Sequence, residues 1–191
     1  MATETVLLRQ LRINQLRIRN MKHLLILSFL LISCSAGGFM TKKASVDYDK
    51  FDNETTYRSG EISVLKQSMM SKEYLYLRAI VVNEGTSKEK PNTVSLIARG
   101  LTTKLTFNEL NELHFIIDGE TKTYQSQSYS SDVTRHSGTV GFNELNIYSI
   151  PIEDFNKIAN QEVLEGKLSV HEFTVSLERR TPFREFLAQF N

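Results

Sequence analysis

The sequence predicts an α+β domain, mainly antiparallel β-sheet with two short helices near the C-terminus; an all-β sandwich is the alternative. Three observations carry this. Apolar residues alternate with period two in short runs, most clearly at Leu75, Leu77, Ala79 and Val81, with Arg78 on the other face. The pair Asp118-Gly119 has the composition of a two-residue hairpin turn. Two late segments switch to helical spacing, Ile152, Phe155, Ile158 and Ala159, then Phe183, Phe186, Leu187 and Phe190. Strands followed by helices are the α+β pattern.

Each element follows in order. Residues 35–45 are small, polar and basic, and read as a flexible tether. Residues 74–82 are the clearest strand, and 94–98 a second one after a loop with Gly85 and Pro91. Leu113, Phe115 and Ile117 alternate up to the Asp118-Gly119 turn, and residues 120–125 form the return strand. Residues 126–141 are rich in serine and threonine and poor in apolar residues, so they read as a long exposed loop. A strand at 145–150 runs into Pro151, and a helix follows with Glu153 and Asp154 in its first turn, where the dipole favours acids. Strand residues resume at Leu168-Ser169-Val170. The apolar parity then slips before Phe173, Val175 and Leu177, which predicts a bulge or tight bend at His171-Glu172. Thr181 as N-cap and Pro182 at N1 open the last helix, whose aromatic stripe is expected to pack on the sheet. The pentapeptide of residues 107–111 recurs letter for letter at 142–146, but the flanks differ, so it reads as coincidence or a shared turn-into-strand solution.

Ahead of the domain lies a basic residue, Lys22, then an apolar run from Leu24 to Ile32, then Ser33, Cys34, Ser35 and Ala36. This is the order of a secretory signal, and the run is too short for the roughly 20 residues of a membrane-spanning helix. Met21-Lys22-His23 is a normal signal beginning, so translation is expected to start at Met21. Leu31-Ile32-Ser33-Cys34 resembles the lipobox of bacterial lipoproteins. That resemblance implies cleavage before Cys34, a diacylglycerol on its thiol and acylation of the new amino group. Two or more acyl chains anchor stably where one does not. By analogy with proteobacterial lipoproteins, Ser35 in place of an aspartate implies the periplasmic face of the outer membrane. The alternative is an ordinary signal cleaved after Ala36. The expected organisation is therefore a signal in residues 1–33, lipidated Cys34 and tether in 34–45, and one β-rich domain in 46–191.

Residues 1–34 hold five of the 23 basic residues and one of the 22 acidic ones, leaving 18 against 21 and a net charge of −3. A mildly acidic domain with scattered charge lacks the basic patch that nucleic acid requires. Cys34 is the single cysteine of the chain, so no structural disulfide is possible. The 157 residues after it are enough to bury a core without one.

Catalytic patterns are sparse. His114, His136 and His171 show no metal-ligand spacing, and no cofactor motif is present. Asp47, Asp49 and Asp52 are spaced as in a calcium loop but lack its glycine and terminal glutamate, and Tyr48 and Phe51 suggest a strand. Ser63 and Lys66 have a serine–lysine spacing without companion motifs. Ser131, Asp132 and His136, in the stretch from Ser130 to His136, are the one cluster with nucleophile, acid and base, yet members so close in sequence rarely converge as a triad. The expectation is thus a lipid-anchored, non-catalytic binding or structural module of the bacterial envelope. Its partners are the membrane, through Cys34, and another envelope protein or polymer. Tyr124, Tyr129 and Tyr148 read as half-buried strand positions, with an aromatic contact surface as the alternative. A small envelope hydrolase using the loop of residues 130–136 is the second reading.

Overall fold

The computed structural model describes residues 43–65, 74–102, 112–136 and 139–190. Their strands, in chain order, are β1 (Ser45–Asp49), β2 (Glu54–Arg58), β3 (Ile62–Ser63), β4 (Tyr74–Glu84) and β5 (Thr93–Thr102). There follow β6 (Glu112–Ile117), β7 (Glu120–His136), β8 (Thr139–Pro151), β9 (Val163–Leu168) and β10 (His171–Ser176). Two helices, α1 (Ile152–Asn160) and α2 (Thr181–Leu187), complete the α+β fold. All pairs are antiparallel, in the order β1-β2-β4-β5-β8-β7-β6-β9-β10, and β3 pairs β4 beside β2.

The alternation read from residues 74–82 is the burial pattern of β4, where Leu75, Leu77, Ala79 and Val81 are buried. Between β2 and β3 the ladder along β4 breaks at Ser59. There the fully buried Ser59 hydroxyl accepts the Ala79 N–H at 2.8 Å, while the Ser59 N–H donates to Ala79 O at 2.9 Å. A side chain thus stands in for a missing ladder acceptor, which a buried amide requires. Asp118 (φ 52°) and Gly119 (φ 82°) both sit in the left-handed region, the backbone of a type I′ turn, and join β6 to β7.

Residues 126–141 are not a loop. They are the far half of β7 and the start of β8, paired from Ser126↔Tyr148 to His136↔Thr139. The cause of the misreading is a bulge between Ser126 and Ser128. Before it the inward positions of β7 are even-numbered, as at Tyr124; after it they are odd, as at Tyr129, which packs on the core. One extra residue erases the period-two signal over the whole strand. The bend expected at His171-Glu172 lies two residues earlier, at Ser169-Val170, where Ser169 takes φ 55° and β9 folds back on β10.

The helices close the core. Phe155, Ile158 and Ala159 of α1 and Phe183, Phe186 and Leu187 of α2 are buried. Their rings form a chain from Phe155 to Phe183 (5.1 Å) and Phe186 (5.9 Å), on to Phe190 (5.3 Å) and to Tyr57 of β2 (4.8 Å). Burying each such side chain stabilises by about 1.5–3 kcal/mol. Thr181 is not the N-cap: Arg180 holds that position, and the Thr181 hydroxyl donates back to Glu178 O at 2.7 Å. The fully buried Arg180 guanidinium donates to Ile158 O, Gln161 O and Glu162 O, so it satisfies carbonyls at the C-terminal end of α1.

Candidate functional site

The strand β7 holds Ser131, Asp132 and His136 but does not gather them. Ser131 stands opposite Glu144 and Asp132 opposite Asn143, so their side chains leave opposite faces of the sheet. Both residues are exposed. His136 ends the strand, opposite Thr139. It lies five strand positions from Ser131, about 16 Å along the backbone. A triad needs nucleophile and base within about 3 Å. Cys34 and residues 107–111 lie outside the described residues.

What sequence reading missed is a row of polar side chains facing inward from β8. Glu144, Asn146 and Tyr148 are alternate residues of that strand, each fully buried at 0% exposure. Across β5 they face Gly100, Ala98 and Leu96, and across β7 they face Ser131, Tyr129 and Ser126. A buried carboxylate is costly without a donor. Thr102 supplies one, its hydroxyl bonding Glu144 Oε2 at 2.9 Å. Ser126 Oγ lies within reach of Ser128 O (3.1 Å) and Asn146 Oδ1 (3.0 Å), but a hydroxyl has one hydrogen. With the Asn146 amide turned so that Nδ2 faces Ser126, the hydroxyl accepts from Asn146 and donates to Ser128 O. Nδ2 otherwise has no partner. Burial pushes the Tyr148 phenol well above its usual range. The row therefore ties β5, β8 and β7 together at the bulge, closed to solvent. Its chemistry is that of a register-fixing network.

The remaining candidates are also structural. Tyr124 is buried and donates to Asp154 Oδ2 of α1 at 2.9 Å; burial, then that bond, raises its phenol. With Tyr148 buried and Tyr129 packed on the core, these tyrosines are interior positions rather than a contact surface. Asp47 pairs with Arg58, and Asp49 Oδ1 accepts the Phe51 N–H at 2.8 Å in the β1–β2 turn. His114 Nδ1 lies 2.9 Å from Thr123 Oγ1, and its Nε2 is 3.5 Å from Glu112. Ser63 ends β3, and Lys66 lies outside the described residues.

These features define an antiparallel α+β domain whose clustered polar groups serve the fold. No family model, no curated protein and no solved structure matches the chain.

Proposed function

We propose that the chain is a lipid-anchored envelope protein whose domain is a non-catalytic binding or structural module, held at the periplasmic face of the outer membrane. The observation that carries this is Leu31-Ile32-Ser33-Cys34, behind a basic residue and a short apolar run. Two further observations support it. Among the described residues no helix is long and apolar enough to cross a membrane, so an anchor would have to come from elsewhere. The first strand opens at Ser45, eleven positions after Cys34, which leaves a tether of at most about 40 Å when extended.

Labelling cells with radioactive palmitate tests the anchor. The chain is expected to take up label, and Cys34→Ser to take up none while moving from the membrane to the soluble fraction. Label retained by Cys34→Ser, or an unlabelled native chain, would overturn the reading.

A further inference from the structure

A trough of about 790 Å³ runs along β6, β9 and β10, lined also by the buried Val64 after β3 and separate from the buried row of β8. The sheet register builds it. Phe115, Gly166 and Phe173 lie side by side across the three strands, between the rows of residues on either side. Phe115 and Phe173 bury their rings on the inner side, closing over Gly166. Only backbone then faces outward along this row, and it forms the floor. One wall is His114, Lys167 and Glu172; the other is Ile116, Glu165 and Thr174.

The walls differ in what they leave unsatisfied. Lys167 sits 3.6 Å from Glu172, and His114 sits 3.5 Å from Glu112. Glu165 makes no ion pair among the described residues, and directly opposite it Ile116 is 40% exposed. A carboxylate without a counter-charge beside an accessible apolar side chain matches a ligand offering a cation next to an apolar group. Thr121 of β7 extends that wall, so the trough crosses four strands, about 14 Å. That is the length of about four extended residues, and the volume lies within the range of ligand sites.

We propose that this trough binds a short extended peptide segment of a partner protein, placing a lysine or arginine against Glu165 and an apolar side chain against Ile116. Such binding rests on the non-catalytic module proposed above and is independent of the anchor.

The test is fluorescence anisotropy on the full chain in detergent. The probe is a fluorescein-labelled five-residue peptide with a central lysine flanked by leucines, compared with the same peptide carrying glutamate instead. The lysine peptide is expected to bind and the glutamate peptide not to. Glu165→Gln is expected to weaken binding about two- to fivefold, as for a solvent-screened ion pair. Glu89→Gln, on the exposed loop after β4, is expected to change nothing. Equal binding of both peptides, indifference to Glu165→Gln, or binding of purified glycan strands in place of the peptide would overturn the proposal. Palmitate labelling of the same preparation separates the two readings. A lipidated chain that ignores the peptide removes the trough alone, and an unlipidated chain that takes it removes the anchor alone.

Discussion

Arg180 is the residue on which most of the C-terminal packing converges. It is fully buried, yet the partners of its guanidinium are backbone carbonyls, Ile158 O, Gln161 O and Glu162 O, with Ser176 O at 3.3 Å. Burial, then the nearby Arg184, push it down to about 10, so it stays cationic at neutral pH. Two effects oppose each other in Arg180→Met: a buried cation is relieved, and the buried Ile158 carbonyl and the part-buried Gln161 and Glu162 carbonyls lose their donor. The second wins, because each orphaned group costs about 1–3 kcal/mol. A net loss of about 2 kcal/mol is expected, read in urea as a lower midpoint with unchanged slope; an unmoved midpoint would show the carbonyls satisfied otherwise. Tyr124 and Tyr148 set the alkaline limit. Both phenols are raised above their ordinary value of 10.0. Below that pH folded and unfolded chains are equally protonated; above it the unfolded chain sheds protons first, so stability falls as pH rises. Melting temperatures between pH 8 and about 11 should show the fall, and Tyr148→Phe should flatten it. The buried charged groups were not legible in advance. A glutamate or arginine reads as surface, and Glu144 and Arg180 become interior only through partners 42 and 22 residues away in sequence, Thr102 and Ile158.

At the scale of elements, legibility followed the physics of each signal. β4, β5, β6 and the β6–β7 turn were readable because alternation and the Asp-Gly turn are local. β9 was not. Its inward positions are Leu164, Gly166 and Leu168, and a glycine at the centre breaks the apolar rhythm. The structure fills that gap with rings from two other strands. A Cβ on Gly166 would stand 2.6 Å from the Phe173 ring and 2.9 Å from that of Phe115. Gly166→Ala is therefore expected to destabilise by about 1–3 kcal/mol through overpacking. The cost should shrink by at least about 0.5 kcal/mol when Phe173→Leu is already present, a coupling that denaturation of the four proteins of the cycle measures. Additive effects would mean that the rings yield freely. The β7 bulge hid its strand in the same way, since a parity change is invisible without the partner strand. The alternative reading of a hydrolase at Ser131, Asp132 and His136 loses the loop it relied on, because a strand spreads what a loop could have folded together.

For the whole molecule, the proposed address can be tested apart from the fold. Among the described residues the buried hydrophobic cluster runs from Tyr57 to Phe190. It is closed by α1, α2 and the aromatic chain. If the proposed anchor lies outside this core, it changes where the domain sits and not how strongly it folds, because stability follows the buried area of the domain itself. Cys34→Ser should consequently leave the membrane fraction while its melting temperature, measured in the same detergent buffer as the native chain, stays within about 2 °C, the shift of less than 1 kcal/mol in a domain of this size. A lower melting temperature in the released protein would mean that the lipid or the signal-derived segment takes part in folding. The binding trough would then have to be tested on the anchored form alone.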